Sequence, residues 1–272
     1  MGFRLKQKSP VSNPKLEKKM KFTKLLSISA AVLLLALSAA GQGEPSTVTA
    51  LEFQTPKNGM IKQYEEGRKA KAAWHKQQKD PQMLFVLQVV AGEQMGSYIV
   101  GRAGQHWADL DKPAIPDAAD EDEYNKVVAP YVEKRTAAYF ETMPKVSYPS
   151  PEMGGKYTSA TTFHIRYGKG DDFRSAIARM RDAAEKTKWP FHYRWERLAN
   201  GGPGGTYVLL VDHANWASFE DDPNIKPLRD ILREAFGEQE AMSVIERLNG
   251  SIESTYNEVV EFRADLSYIP AK

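Results

Sequence analysis

The strongest constraint on this chain is an internal repeat. Residues 96–113 read GSYIVGRAGQHWADLDKP and residues 205–222 read GTYVLLVDHANWASFEDD, at an offset of 205 − 96 = 109 residues. Gly, Tyr, Trp and Ala recur in register. The exchanges between the copies are mild: Ser97 for Thr206, Ile99 for Val208, Leu110 for Phe219, Asp111 for Glu220. Self-similarity at a fixed offset bears on architecture before it bears on any single residue.

The elements around each copy follow the same order. Residues 49–55 alternate Leu51 and Phe53 against Glu52 and Gln54, the pattern of a half-buried strand. Residues 60–79, rich in Lys, Ala, Glu and Gln with Ile61, Tyr64 and Trp74 as apolar members, predict a helix stopped at Asp80-Pro81. On that helix His75 falls on a Lys-rich, solvated face. Residues 83–91 form a strand apolar on both faces, and 97–103 form the next. In the second half, strands are expected at 161–167, 190–199 and 206–212. A helix at 171–188 carries Phe173, Ile177 and Met180 on one stripe. Both halves continue into a helical region, with the acidic run at 117–124 read as solvated. They close on similar endings, KVSYP at 145–149 and DLSYIP at 265–270. The order strand-helix-strand-strand-helix-strand therefore occurs twice, over residues 48–150 and 155–272.

The repeated tryptophans sit just past the third strand of each half. Each is followed by Ala, a capping residue (Asp109 or Ser218), an apolar residue and an acid. A side-chain oxygen at that place can accept an orphan helix N–H, and the acid suits the positive end of a helix. Trp107 and Trp216 are accordingly expected to pack as structural anchors at the strand-to-helix junction. This combination resembles the dimeric α+β barrel superfamily of ferredoxin-like domains. Its members include antibiotic-biosynthesis-type monooxygenases, NIPSNAP-like proteins, muconolactone isomerases and chlorite dismutases. The resemblance implies an α+β fold of two tandem ferredoxin-like βαββαβ repeats, their antiparallel sheets packed face to face as an intrachain α+β barrel with ligand between them. The pairing also makes physical sense. A four-stranded sheet with both helices on one face leaves its other face bare, and a second copy can cover it.

Ahead of the repeats, residues 20–40 have the pattern of an export signal. Lys21 and Lys24 precede an apolar run from Leu25, and small residues end it near Ala40. The run is shorter than the ~20 residues that span a bilayer, so no stable membrane anchor is expected. Residues 1–19 read as an unstructured extension and 41–47 as a linker, with the mature chain periplasmic or secreted. The 272 residues contain no cysteine, which removes thiol chemistry and thiolate ligation and is compatible with export. A formal charge of +2 gives no support for a nucleic-acid partner.

Chemistry is expected on the second half. Phe163 and Ile165, with Tyr167, lie on one side of their strand, and His164 and Arg166 on the other. Next door, Phe191, Tyr193 and Trp195 oppose His192, Arg194 and Glu196. With Asp212 or His213 from the strand between, these residues form a candidate constellation facing the inter-sheet space. Such a set suits an anionic or oxygen-rich small molecule with His as general base, or else a hydrated ion-pair lattice without ligand. No compact His spacing marks a metal site. The resemblance raises haem through the chlorite dismutases. Among the C-terminal histidines, His164, His192 and His213 are the candidates for an axial ligand, and none sits in a segment matching that family's proximal histidine, so no cofactor is expected. The sequence thus predicts an exported tandem barrel, monomer or homodimer, that binds a small molecule. The alternatives are a cofactor-independent oxygenase or isomerase acting on a small oxygen-rich or aromatic substrate and, ranked below it, a haem-binding protein.

Overall fold

The computed structural model describes residues 47–150 and 154–270; the expected export signal and N-terminal extension lie outside them. The first repeat comprises β1 (Val48–Pro56), α1 (Ile61–Gln77), β2 (Phe85–Ala91), β3 (Tyr98–Gln105), α2 (Asp117–Val127) and β4 (Val132–Thr142). The second comprises β5 (Tyr157–Ile165), α3 (Gly170–Thr187), β6 (Arg194–Asn200), β7 (Thr206–His213), α4 (Leu228–Phe236), α5 (Glu238–Ser251) and β8 (Ile252–Phe262). All strand pairs are antiparallel, and the two four-stranded sheets join edge to edge into a closed barrel, β1-β3-β2-β8-β5-β7-β6-β4. The α+β tandem barrel expected from the sequence is the fold observed.

The repeat holds at the level of register. Leu51 pairs with Gly101 in β1–β3, and Ala160 with Leu210 in β5–β7, each partner shifted by 109. The fourth strands start 252 − 132 = 120 residues apart, so the second half gains 120 − 109 = 11 residues before β8. That half accommodates two helices, α4 and α5, where the first half has α2.

Helices cover the outside of the barrel, and the two outer cores differ in kind. Over the second sheet the core is aromatic and aliphatic. Phe173 of α3 meets Tyr207 at 4.7 Å and Trp195 at 5.6 Å between ring centroids, and Ile177, Ile231, Leu232 and Val244 fill around them. Each such side chain contributes ~1.5–3 kcal/mol by leaving water. Over the first sheet, the buried face of α1 is Tyr64, Gly67, Arg68, Lys71 and His75. Their spacing of three or four residues defines one helical stripe. At an offset of 109 the same stripe in α3 reads Phe173, Ala176, Ile177, Met180 and Ala184. Charge has replaced hydrocarbon in one copy of a duplicated core.

Several expectations are corrected here. His75 is not on a solvated face: it is fully buried, 3.0 Å from Asp80 and 3.3 Å from Asp120. Burial pulls its imidazole down to about 4, because Arg102 and Lys71 already offset the two carboxylates. Ile61, one of the three apolar members of that helix, is exposed. Asp120 leaves the solvated acidic run to meet Lys71. Tyr167 is fully exposed, since β5 ends at Ile165 and the chain turns away. The closing strands are β4 and β8, ahead of the repeated endings, which form turns and the isolated bridges Tyr148–Tyr193 and Leu84–Tyr268.

The tryptophan motif forms a 3₁₀ turn in each half, Trp107–Asp111 and Trp216–Phe219. Asp109 and Ser218 are not the capping residues but stand at the third position inside. The N–H of His106 donates to Asp109 Oδ2 at 2.7 Å and that of Asn215 to Ser218 Oγ at 3.4 Å, the return arm of a capping box. The tryptophans are half-exposed surface props. Trp107 donates to Glu141 and leans on Tyr139, and Trp216 lies 4.5 Å from the Tyr157 ring.

The β4–β6 seam depends on Gly201, which follows Asn200 at φ +94°. A Cβ there would come within 2.4 Å of the Ala137 carbonyl oxygen and 2.6 Å of the Ala138 Cα. Gly201→Ala is expected to cost roughly 2–4 kcal/mol in urea unfolding. Gly59→Ala, also at positive φ but in open space, should cost only about 1 kcal/mol; equal losses would rule out a seam effect.

Candidate functional site

The inward face of the second sheet carries polar groups where the first carries hydrocarbon. Registers place Arg194 opposite Leu210, and Glu196 between Val208 and Thr142. At an offset of 109, the first-repeat counterparts of Arg194 and Glu196 are Phe85 and Leu87. The barrel wall is therefore apolar on one side and charged on the other.

Arg194 and Asp212 form an ion pair at one end of β6 and β7, with Arg194 Nη2 donating to Asp212 at 3.0 and 3.2 Å. Thr158 Oγ1 donates to the same carboxylate at 2.8 Å. Both members of the pair are mostly buried. They wall a cleft of about 340 Å³ that His192, Tyr193, Leu210 and His213 also line. This volume is at the small end for ligand pockets.

Glu196 sits two residues further along β6, on the same face as Arg194. It is buried and accepts no hydrogen bond from any described residue. Burial raises its carboxyl above the ordinary range, and only the charge of Arg194 opposes this. An uncompensated buried carboxyl is costly, so its presence where the other repeat has Leu87 is not explained by stability.

The remaining candidates disperse. His164 pairs with Thr206, six residues along β7 from Asp212, or about 20 Å at strand rise. The Thr206 hydroxyl proton goes to the Pro203 carbonyl at 2.7 Å, so its oxygen accepts from His164 Nδ1–H at 3.2 Å. His213 points outward. Its Nδ1–H donates to the Ser218 carbonyl at 3.0 Å, Nε2 accepts from Ser159 Oγ at 2.9 Å, and its ring stacks on Phe219. It pins the 3₁₀ turn against the sheet. His192 stacks on Tyr148 at 5.1 Å, with Nδ1 buried and without a hydrogen-bond partner among the described residues. Arg166 lies past the end of β5 and is exposed. Of the predicted constellation, His192, Arg194, Asp212 and His213 share one cleft with Glu196 behind it, whereas His164 and Arg166 lie elsewhere.

The β6–β7 cleft does not fit haem. Both nitrogens of His213 are engaged and His192 lies against Tyr148, while His164, whose Nδ1–H donates to Thr206, stands about 20 Å along the strands from this cleft. A small cleft walled by an ion pair is the opposite of the broad apolar slot a tetrapyrrole requires. Among the described residues, no group of three or more His, Asp or Glu is placed to hold a metal ion.

No family model and no curated protein matches the chain in sequence. Solved structures match it in fold. A "putative monooxygenase" from Lactobacillus acidophilus NCFM superposes with a TM-score of 0.51 at 8% identity, covering 84% of this chain and 98% of that one. A second protein so described, from Fusobacterium nucleatum subsp. nucleatum, gives 0.51 at 10% identity over 80% and 92%. A "putative chlorite dismutase" gives 0.48 at 9% identity over 81% and 96%. At these identities the likeness is one of fold, that of the dimeric α+β barrel.

Replacing Glu196 by the other repeat's residue tests its environment. The unfolded chain ionises this carboxyl near pH 4.5, while the folded chain resists until higher pH. Glu196 therefore subtracts stability as pH rises above that value. Glu196→Leu should stabilise the protein by roughly 1–3 kcal/mol at pH 7 and by clearly less at pH 4. A gain independent of pH, measured by urea unfolding, would contradict the assignment.

Proposed function

We propose that this chain, which has the dimeric α+β barrel fold with both halves in one polypeptide, binds a small oxygen-rich molecule at the β6–β7 end of its barrel. Arg194 orients an anionic or carbonyl oxygen of the ligand, and Glu196 exchanges a proton with it. The observation that carries this reading is Glu196: a buried residue whose carboxyl accepts no hydrogen bond from any described residue, beside the cleft, at a position filled by Leu87 in the first repeat. A carboxyl of raised pKa approaches the condition for acid–base work near neutral pH.

The same group supports a catalytic reading, a cofactor-independent oxygenase or isomerase. Glu196 as base removes a proton next to a carbonyl, and Arg194 offsets the charge of the enolate that forms. An isomerase returns the proton to another atom, whereas in an oxygenase the enolate carbon is oxidised by dioxygen, a C–O bond forms, and the resulting peroxide anion takes the proton back from Glu196 as a hydroperoxide. Two fold neighbours are described as monooxygenases, which supports the second route only as an analogy of fold.

Deuterium uptake by enolisable ketones, followed by NMR in heavy water, separates binding from proton transfer. Wild-type protein should accelerate exchange, and Glu196→Gln should lower that acceleration by about 10²-fold or more. Arg194→Leu should instead weaken ligand binding at least tenfold. Ligand binding with no effect of Glu196→Gln on exchange would leave a binding protein and overturn the acid–base role. Loss of neither function would place the ligand elsewhere.

Export through residues 20–40 belongs to the same proposal. N-terminal sequencing of the protein from its host's extracytoplasmic fraction should begin next to Ala40. Recovery of the chain only from the cytoplasm, with Met20 retained, would refute it.

A further inference from the structure

The charged stripe of α1 encloses a second cavity, lined by none of the residues of the β6–β7 cleft. It measures about 190 Å³, roughly six water volumes. It lies between the first sheet and helices α1 and α2. Its charged lining is Arg68, Lys71, Arg102 and Arg135 against Glu52 and Asp120.

Three of the four cations have partners. Lys71 Nζ donates to the Asp120 carbonyl at 2.5 Å, lies 3.2 Å from its carboxylate and sits 4.2 Å from the Trp74 ring centroid. Arg102 donates to Asp80 at 3.0 Å. Arg135 donates to Glu52 and to Glu121 and covers the Tyr124 ring. Arg68 is different. It is 2% exposed, and its Nε and Nη2 have no hydrogen-bond partner among the described residues. A guanidinium stays charged at any working pH and presents five donors in a planar fork. Burying one without an acceptor is strongly unfavourable.

The duplication provides an internal control. At the positions of Arg68, Lys71, His75 and Arg102, the second repeat has Ile177, Met180, Ala184 and Val211. The same scaffold is built there from hydrocarbon, so the fold does not require these charges.

We propose that this cavity is a binding site for one small oxyanion, a phosphate or a small carboxylate, held by the Arg68 guanidinium with Lys71 and Arg102 at its sides. The anion supplies the acceptors that Arg68 lacks and leaves the existing ion pairs in place. The site is separate from the one proposed at Arg194 and Glu196.

The test uses the purified protein at constant ionic strength, with inorganic phosphate, malonate and chloride titrated separately by calorimetry and thermal melting. Phosphate or malonate should bind saturably and raise the melting temperature, while chloride should not. The arm that responds identifies which oxyanion is taken. Arg68→Ile, which installs the second repeat's residue, should melt no lower than wild type without anion and lose at least tenfold in affinity. In an Arg194→Leu background the Arg68→Ile substitution should still remove the response, which separates this site from the β6–β7 cleft. Where Arg68→Ile perturbs folding, the Arg68 Nε–H resonance of the wild-type protein should shift on phosphate or malonate addition. Absence of saturable binding by both oxyanions would overturn the proposal. So would full binding by a folded Arg68→Ile variant, or a response lost in Arg194→Leu alone.

Discussion

Two short seams hold the architecture together. Where β2 meets β8 and β4 meets β6, only about four residues of each strand are paired. Those pairings convert two open sheets into one barrel. An open sheet leaves rows of N–H and C=O groups on its edges, free to pair with other chains. Closure satisfies them and shelters both inward faces. It also couples the repeats, because β2 is completed by a strand that lies at the far end of the chain.

Once the barrel is closed, each sheet has an inner and an outer face, and the two repeats have specialised in opposite ways. The second repeat keeps hydrocarbon under its helices and places Arg194 and Glu196 inside the barrel. The first keeps Phe85, Leu87, Leu51 and Phe53 inside and places Arg68, Lys71 and His75 under its helices. Each half thus has one stabilising apolar face and one face bearing charge. Apolar burial in one layer offsets the cost of charge in the other.

The second-half face was legible because strict alternation carries its own geometry. Two residues apart in a strand means the same side, so Arg194 and Glu196 follow from the letters alone. The charge under α1 was concealed by composition. In a helix rich in Lys, Glu and Ala, charged residues appear on every side, and two of its three apolar members, Ile61 and Trp74, lie off the buried stripe. The readable signal was the offset of 109, which sets Arg68, Lys71 and His75 against Ile177, Met180 and Ala184.

The sequence by itself determined the duplication, the order of elements and the side of each strand on which a residue falls. These depend on local periodicity, and local periodicity is written in consecutive residues. Tertiary structure alone decided which groups meet. His164 and Asp212 share a face yet stand six residues apart along β7, and Arg166 lies past the end of its strand. It also decided that the charged side of α1 turns inward, since periodicity sets an angle about an axis but not what packs against it.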